Sequence, residues 1–318
     1  MTEDVLISRL RPLLPVSRRA FVASGDDSAV YSLSGAATLS VDMLVEGVHF
    51  RPEWSNGADV GARSAAQNLA DAVAMGARPT SLVVGLAVPP TTEGEWVEDF
   101  ARGMASVCEP LGVGVDGGDF VASDQIVVSV TVLGQMEGRE PLRRSGMQME
   151  DKLVFAGNLG HGRAGYELLN AGYTREDKNP KIAAMIEHFL VPQPPLEIAL
   201  AAASTGQLRS LMDVSDGLVK DVGRMAGASG VWVDIDHHAI TRLIGPIATA
   251  AGRLSADRSQ WAYTGGEDHG FVGTVAKDAP IPGGFTRIGT VRGAALGGRV
   301  TVGGVPFEGN GGWDHFAQ

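Results

Sequence analysis

The sequence is short of cysteine, because Cys108 is the only one among 318 residues. An internal disulfide is therefore excluded, and a chain so poor in thiols suits a reducing compartment, so we expect a cytoplasmic location. The first residues, MTEDVLISRL, lack the basic-then-apolar pattern of a signal peptide, and no apolar run is long enough to cross a bilayer. We therefore expect no membrane partner.

Basic side chains are also scarce. Lys and Arg number 26 against 37 Asp and Glu, which gives a formal net charge of -11 at pH 7. Such an excess of negative charge argues against nucleic acid or an anionic membrane surface as a partner. A phosphorylated small molecule remains possible as a ligand, provided that metal ions lie between it and the acidic chain.

Several nucleotide-binding and hydrolase motifs are missing. The sequence has no GxxxxGK[ST] loop, no kinase-type HRD or DFG set and no GxSxG elbow. The stretch GNLGHGRAG (157–165) is glycine-rich, but its spacing departs from GxGxxG, which disfavours a Rossmann site. His237 and His238 are adjacent and have no CxxC partner, so we expect them at the surface rather than on zinc.

The sequence does contain alternating strand and helix patterns. Residues 37–44 and 81–88 are rich in apolar and β-branched side chains and predict strands. Between them, residues 59–79 predict a helix with Asp59 as its N-cap and Gly76 near its end.

A second helix is predicted over residues 91–112. Thr92 and Glu95 have the spacing of a capping box, and an apolar stripe runs along the helix. Cys108 and Met104 belong to this stripe, so we interpret both as core residues without chemistry.

A polar stretch, residues 137–151, divides the chain. After it the strand, turn and helix patterns restart, first around KLVFAG and again around DVSDGL. We therefore predict two α/β domains, residues 1–137 and 138–318.

Carboxylates recur beside apolar segments and glycine turns, where α/β folds place ligand-contacting groups. The candidates are Asp26, Asp27, Asp42, Asp71, Asp119, Asp213 and Asp216. Taken singly, each is as readily a helix cap or a turn residue: Asp216 could cap the following helix, and Asp116 could belong to a turn.

Asp71 is the hardest of these acids to explain structurally. It follows Asn68 by three residues inside an otherwise apolar helix, where an unpaired carboxylate would be costly and a bound cation would remove that cost. Oxygen ligands without His or Cys clusters suit Mg²⁺, which is often shared between a few carboxylates and ligand phosphates. The acids together therefore predict several Mg²⁺ ions at a phosphoryl-transfer site.

Eight motifs extend this interpretation. They are GDDSAV, SVDMLVEGVHF, NLADAVAMGARP, GGD, RSG, DVSDGL, GGED and GWDHF, in that order from about residue 24 to 316. The chain in this respect resembles the thiamine-monophosphate kinases of the aminoimidazole ribonucleotide synthetase superfamily. DMLVEGVHF with NLADAVAMGA is specific, whereas GGD or RSG alone is not.

The resemblance implies a fold and an activity. The fold would be two α/β (α+β) domains, with mixed sheets and helices packed on one face. The N-terminal domain would bind metal and ATP and form a homodimer, and the C-terminal domain would complete the ATP and substrate site. The activity would be Mg²⁺-dependent, direct in-line transfer of the ATP γ-phosphoryl group to thiamine monophosphate. No general base is needed, because the acceptor phosphate is already largely ionised at neutral pH.

The resemblance also assigns roles residue by residue. The magnesium ligands would be Asp27, Ser40, Val41 (through its backbone), Asp42, Asp71, Asp119, Asp213 and Asp216. The ATP phosphates would meet Gly118, Asp119, Arg144 and Ser215. The substrate would meet His49, Glu267 and Trp313. The catalytic set would be Asp42, Asp71, Asp213 and Arg144. Asp26 would brace its turn.

Structural roles remain open for several of these residues. His49 could be a satisfied core histidine, and Trp313 could merely pack the tail down. Either Arg143 or Arg144 could be a solvated linker residue. One of the neighbours Glu267 and Asp268 could simply hydrogen-bond a turn.

The sequence departs from the family pattern in three places. His269 and Gly270 stand where a Tyr-Glu pair is usual, Phe120 stands where Thr is common, and residues 190–195 lack an arginine. Two alternatives to the kinase remain. Another ATP-dependent synthetase of the superfamily is disfavoured by the missing catalytic cysteine and by the GWDHF tail. A non-catalytic nucleotide-binding regulator is disfavoured by the intact acidic motifs.

Overall fold

The computed structural model of the protein describes residues 3–24, 28–309 and 311–313. The predicted roles of Asp26 and Asp27 lie outside these described residues. Among the described residues, no helix is both long and apolar enough to span a membrane.

The chain divides into two compact units. The N-terminal unit comprises Met1–Val73 and Ala77–Arg139, and the C-terminal unit comprises Ala74–Gly76 and Glu140–Gln318. Each unit has its own main sheet.

The N-terminal unit contains three α-helices among its described residues. They are α1 (Glu3–Leu10), α2 (Gly57–Ala74) and α3 (Gly94–Cys108), with short 3₁₀ turns at Arg11–Leu13 and Glu109–Leu111.

Its strands form two sheets. Strands β1 (Ala20–Val22) and β2 (Val30–Tyr31) pair as a small ribbon. The main sheet has the order β3-β6-β4-β5, in which β4 and β5 are parallel and the other neighbours antiparallel. Its strands are β3 (Ala37–Val45), β4 (Arg78–Val88), β5 (Gly114–Ala122) and β6 (Val127–Gln135).

The predicted helix caps are wrong in detail. Asp59 lies inside the first turn of α2, and Asn56 precedes that helix. The Asp59 N–H donates to Asn56 Oδ1 at 2.9 Å, and the Asn56 N–H donates back to Asp59 Oδ2 at 3.0 Å. This reciprocal pair is a capping box in which Asp59 is the inner member.

The second predicted capping box is absent. The N-cap of α3 is Glu93, and its side chain makes no capping bond to any described residue. The helix is instead fixed by its apolar face, on which Phe100 and Met104 are buried together with Cys108. Burial raises the pKa of the Cys108 thiol to about 12, so its interpretation as an unreactive core residue is confirmed.

The two faces of the main N-terminal sheet differ sharply. On one face, helices cover Leu44, Val130 and Leu82, which are buried. On the other face, large apolar side chains are exposed. They are Leu39, Val41, Met43, Val83 and Val121.

The C-terminal unit is built on a seven-stranded sheet of order β13-β12-β9-β11-β7-β10-β8, in which the β12–β9 pair is parallel and the other pairs are antiparallel. The strands are β7 (Lys152–Ala156), β8 (Leu208–Val214), β9 (Val231–Ile235), β10 (Gly270–Val275), β11 (Thr286–Ala294), β12 (Arg299–Val302) and β13 (Val305–Pro306). Both main sheets are therefore mixed, and the predicted α/β fold class is confirmed.

The C-terminal unit also contains seven α-helices among its described residues, and a short 3₁₀ turn at Arg144–Gly146. The helices are α4 (His161–Asn170), α5 (Pro180–Leu190), α6 (Leu196–Ser204), α7 (Leu218–Ser229), α8 (His237–Leu243), α9 (Ala248–Leu254) and α10 (Arg258–Thr264). His237 and His238 begin α8 and are exposed, as predicted.

Candidate active site

In the N-terminal unit, two of the candidate acids, Asp42 and Asp71, lie along the contact between β3 and α2. The Ser40 hydroxyl donates a hydrogen bond to Asp71 Oδ2 at 2.8 Å. Two residues further along β3, Asp42 Oδ2 accepts a hydrogen bond of 3.2 Å from the Gln67 amide. The structure thus brings together three residues that sequence motifs placed about 30 positions apart.

This pairing follows from the repeats of the two elements. Ser40 and Asp42 are two residues apart on a strand, so they point to the same face and are separated by about 6.8 Å. Gln67 and Asp71 are four residues apart on a helix, so they also share a face and are separated by about 6 Å along its axis. Because these two spacings nearly match, both hydrogen bonds form side by side along the contact between β3 and α2, which we call the β3–α2 seam.

The exposure of the two acids differs. Asp42 is exposed at the sheet edge, and Asp71 is half-buried. Their carboxylates and the Ser40 hydroxyl offer only oxygen donors, which is the set that Mg²⁺ prefers. No group of three or more His, Cys, Asp or Glu side chains among the described residues is arranged as a closed metal site. These oxygen atoms therefore suit an ion whose remaining ligands are water molecules and phosphate oxygens, rather than an ion coordinated by protein groups alone.

His49 lies in the loop after β3 and is half-buried, so the interpretation as a core histidine is not supported. Its Nδ1 accepts a hydrogen bond of 3.0 Å from the Val45 N–H. An Nδ1 that accepts leaves the proton of a neutral imidazole on Nε2. His49 can therefore present an N–H donor from a ring whose orientation is fixed.

The GGD motif lies in strand β5 rather than in a turn. A Cβ atom on Gly118 would lie 2.1 Å from the carbonyl oxygen of Val84, so only glycine fits there. Asp119 is exposed on this edge strand, while Asp42 lies on the opposite edge strand. Three inter-strand steps, about 14 Å, separate the two edges. One ion cannot bind both of these carboxylates within a single N-terminal unit.

Asp116 is a structural residue of the same strand, and its assignment to a turn is wrong. It is fully buried and accepts hydrogen bonds from the Ser17 N–H at 3.0 Å and the Ser81 hydroxyl at 2.5 Å. The Tyr31 hydroxyl also donates to Asp116 Oδ2, the oxygen that accepts from Ser81, at 3.4 Å. These neutral donors tie the first strands of the unit to β4 and β5.

In the C-terminal unit, a buried histidine lies between two candidate acids. His269 Nδ1 is 3.5 Å from Asp213 Oδ2, and His269 Nε2 is 3.5 Å from Glu267 Oε2. These are ion-pair distances, and neither contact has hydrogen-bond geometry. Burial opposes the charged ring, but the carboxylates of Asp213 and Glu267 outweigh it and raise the pKa of His269 to about 10.

Asp216 does not cap α7, contrary to one interpretation of the sequence. The N-cap is Gly217, and the buried carboxylate of Asp221 accepts the N–H groups of Asp216 and Gly217 at 3.0 and 3.2 Å. Arg224 donates to Asp216 at 2.5 Å and to Asp221 at 2.6 Å. Burial and the nearby Asp213 raise the pKa of Asp221 to about 7 despite Arg224.

Trp313 is held beside Asp216 by its backbone. Its N–H donates to the carbonyl oxygen of Asp216 at 2.9 Å, and its carbonyl oxygen accepts from Lys220 Nζ. The side chain remains 50% exposed. The interpretation of Trp313 as a residue that only packs the tail down is therefore not supported.

Ser215 and Arg144 occupy different settings. Ser215 lies in the turn between β8 and α7, and its carbonyl oxygen accepts the Glu267 N–H at 2.8 Å. Arg144 begins a 3₁₀ turn and is exposed, as is Arg143. Its carbonyl oxygen accepts the Ser229 hydroxyl of α7 at 2.9 Å. The structure thus fixes the Arg144 backbone on the C-terminal unit.

Asp268 explains the glycine-rich stretch at residues 157–165. Its fully buried carboxylate accepts the N–H groups of Gly160 and Gly162 at 2.5 and 2.8 Å, at the N-terminus of α4. A protein carboxylate therefore occupies the place where a Rossmann fold would bind phosphate. Of the two neighbouring acids, Asp268 is the one that bonds a turn, and Glu267 faces His269.

Sequence reasoning missed Gln67 and Asp221, although both support candidate acids. Gln67 precedes Asp71 by four residues, so helical periodicity alone places both on one face of α2. Asp221 has no comparable signal, because its capping of α7 depends on the turn that precedes the helix.

Two protein-family models match this chain. The model of the AIR synthase related protein N-terminal domain matches residues 25–136, and that of the C-terminal domain matches residues 148–279. A thiamine-monophosphate kinase of Mycobacterium tuberculosis is 40% identical over 295 residues, or 92% of this chain and 85% of the relative. One of Bacillus subtilis is 30% identical over 87% of this chain and 85% of the relative.

A solved structure agrees with these sequence matches. AaThiL complexed with AMPPCP and TMP matches with a TM-score of 0.78 and 30% identity, over 88% of this chain and 87% of that chain. Structures of the hydrogenase maturation protein HypE, at 16–17% identity, share the fold. The resemblance seen in the motifs is thereby confirmed, and the chain belongs to the thiamine-monophosphate kinase family of AIR synthase related proteins.

Proposed function

We propose that this protein is a thiamine-monophosphate kinase, which transfers the γ-phosphoryl group of ATP directly to the phosphate of thiamine monophosphate. The products are thiamine diphosphate and ADP. The observation that carries the proposal is the 40% identity to a kinase of that name over 92% of the chain. The oxygen-rich seam of Ser40, Asp42 and Asp71 supports it chemically.

The residues present fit several Mg²⁺ ions. In the N-terminal unit, Asp42 and Asp71 would hold metal, with Ser40 and the backbone of Val41 beside them. Asp119 would bind metal at the opposite edge of the sheet, and Asp213 and Asp216 would bind metal in the C-terminal unit. Asp27 belongs to the same proposed set of metal ligands. When bound, Mg²⁺ neutralises charge on the phosphoryl groups.

The chain's own residues bind and orient the reactants. Gly118 lies on the edge strand β5 and belongs to the proposed nucleotide set, and Arg144 is exposed, so its guanidinium can pair with phosphate oxygens. Ser215 belongs to the same proposed nucleotide set. His49 can donate from Nε2 to the substrate, Glu267 can meet the pyrimidine, and the exposed Trp313 ring can stack on a thiamine ring.

Direct transfer needs no base and no phosphoenzyme. The acceptor phosphate has a second pKa of about 6, so at neutral pH its oxygen is already the nucleophile. The main barrier is the repulsion between two anions, which is roughly 4 kcal/mol for unit charges 4 Å apart at an effective dielectric near 20. Aligning the two phosphates and offsetting their charge is therefore the work left to the protein.

A homodimer is part of the proposal. The exposed apolar face of the N-terminal sheet supports it, because Leu39 is 74% and Val41 57% exposed. An apolar patch of this kind marks an interaction surface, and the flat face of a sheet suits a second copy. Sedimentation of the wild type should give a dimer, and Leu39→Lys should shift it toward monomer. A wild-type monomer would contradict this part of the proposal.

The proposed location is the cytoplasm. This proposal is supported by the single buried thiol of Cys108, because a chain with one cysteine forms no internal disulfide that an oxidising compartment would favour.

The test of the activity is to mix the protein with Mg-ATP and thiamine monophosphate and to separate the products by chromatography. We expect thiamine diphosphate and ADP in equal amounts. ADP without diphosphate would favour another synthetase of the superfamily, and ATP binding without any ADP would favour a regulator. Diphosphate no higher than in the no-enzyme control rejects the kinase.

A further inference from the structure

We infer that Gln67 is a positioning residue, whose side-chain amide holds the Asp42 carboxylate in the orientation that receives a divalent cation. The inference rests on the proposed function, since it assumes that Asp42 binds metal. It concerns a residue outside every motif that carries the family resemblance.

The burial of the two partners shows which one directs the bond. Gln67 is 5% exposed, whereas Asp42 is exposed at the sheet edge. A buried amide that loses its acceptor cannot be compensated by water, but an exposed carboxylate can. The 3.2 Å bond from Gln67 Nε2 to Asp42 Oδ2 therefore selects the carboxylate rotamer from the buried side.

The chemistry of the donor matters as much as its position. A neutral amide orients a carboxylate without cancelling its charge, whereas a guanidinium would offset that charge. An ionised carboxylate can accept at about four lone-pair positions, and the Gln67 bond uses one of them at Oδ2. Groups that orient a metal ligand in this way tune the affinity of the ion.

The neighbouring bond has the same design. The Ser40 hydroxyl, also neutral, holds Asp71 at 2.8 Å, one helical turn along α2 from Gln67. The adjacent amide, Asn68, does something different: it is fully buried, and its Nδ2 donates to the Ser64 carbonyl oxygen within the helix. The positioning role therefore belongs to Gln67 and not to the amide beside it.

The test compares two buried glutamines of the same unit in the full-length protein. Gln67→Met removes the donor to Asp42 and keeps an unbranched side chain. Gln135→Met is the control, because Gln135 is 2% exposed and its amide donates to Ser34, which lies in the segment between β2 and β3. The probe is Mn²⁺, followed by the paramagnetic resonance of the free ion, since Mn²⁺ prefers the same oxygen ligands as Mg²⁺.

We expect Gln67→Met to weaken the tightest class of Mn²⁺ binding about tenfold, at the lower end of the 10–100-fold range for such groups. Gln135→Met should stay within about twofold of the wild type. In the kinase assay, Gln67→Met should need about tenfold more Mg²⁺ for half-maximal rate and recover most of its kcat at saturating Mg²⁺. Added to Asp42→Ala, the Gln67→Met change should have no further effect.

Unchanged Mn²⁺ binding in Gln67→Met, or equal weakening in both glutamine variants, overturns the inference. If Gln67→Met does not fold, Gln67→Leu replaces it in the same comparison. The two proposals fail separately. If the wild type makes no thiamine diphosphate but Gln67→Met still binds Mn²⁺ more weakly than the wild type, only the kinase proposal is rejected. If the wild type turns over normally but Gln67→Met binds Mn²⁺ as tightly as the wild type, only the positioning role is rejected.

Discussion

The candidate acids of the two units are held by different kinds of donor. In the N-terminal unit, Asp71 accepts a hydrogen bond from the Ser40 hydroxyl and Asp42 accepts one from the Gln67 amide. In the C-terminal unit, Asp213 lies beside the His269 ring, and Asp216 is bonded by Arg224.

This difference predicts how each unit responds to a cation. A bond from a neutral donor orients a carboxylate without offsetting its charge, whereas a cationic donor offsets part of that charge before an ion arrives. We therefore expect the β3–α2 seam to contribute more to metal binding than the acids around α7.

The largest effect should come from Asp71→Asn, which keeps the shape of the side chain and removes its charge. We expect kcat/KM to fall by about 100-fold or more, because metal-assisted charge stabilisation is worth several kcal/mol. Asp216→Asn should cost less, since Arg224 already offsets that carboxylate. The check is steady-state kinetics with thermal melts, and Asp124→Asn, an exposed acid of the N-terminal unit, is the control.

Equal losses of kcat/KM in Asp71→Asn and Asp216→Asn would contradict the expectation that the β3–α2 seam contributes more to metal binding than the acids around α7. An unfolded Asp71→Asn protein would instead give Asp71 a structural role.

A stability effect should follow from Asp268→Ala, because this acid serves the fold rather than the ligand. Two buried N–H groups, of Gly160 and Gly162, would lose their acceptor, at a cost of roughly 2–4 kcal/mol. Asp268→Asn keeps one acceptor oxygen and should cost less. Urea unfolding measures both. A fully stable Asp268→Ala protein would contradict the capping role.

A smaller effect is expected for Trp313→Ala. Stacking on an aromatic ring is worth about 1–3 kcal/mol, so the KM for thiamine monophosphate should rise about tenfold or more while kcat changes little. The backbone bonds of Trp313 to Asp216 and Lys220 do not depend on the side chain. Trp313→Phe should restore most of the affinity. A loss of kcat without a change in KM would argue against stacking.

The smallest effect concerns His161, which is buried in the C-terminal unit at the N-terminus of α4. Burial lowers the pKa of its imidazole below the usual 6.5, although the Leu159 carbonyl oxygen partly opposes the shift. The folded state then binds its proton less readily than the unfolded state. The stability present above pH 6.5 is therefore lost as the pH falls through the lowered pKa.

His161→Asn should reduce this loss of stability at acid pH, because the variant has no imidazole to protonate. The measurement is urea unfolding of both proteins at pH 7.5 and 5.5. An identical pH dependence in the variant would show that His161 does not contribute.

The sequence predicted the elements with strong patterns. Strands β3 and β4 and helices α2 and α3 were found from apolar periodicity, because burial of one face dictates that spacing. The caps were less predictable. Asn56 and Asp59 form the box at α2, but the equally plausible Thr92 and Glu95 do not form one at α3. A capping hydrogen bond contributes little free energy, so the surrounding structure decides whether it forms.

The candidate site was predicted as a set of residues and not as an arrangement. The motifs contain Asp42 and Asp71, but their donors lie across a contact between β3 and α2 that no local pattern shows. The sequence left open that Asp116, which precedes the GGD motif, belongs to a turn, because Asp and glycine favour turns. The structure places it in β5, where Gly118 is required by close approach to Val84.

Direct phosphoryl transfer at a magnesium-dependent site is the central claim, and ATP labelled at its γ-phosphorus tests it most directly. With Mg²⁺ and thiamine monophosphate, the label should appear in thiamine diphosphate in a one-to-one ratio with ADP, and none should remain on the protein. Chelation of Mg²⁺ should abolish the transfer. Label found only in inorganic phosphate, or on the protein chain, would contradict the account.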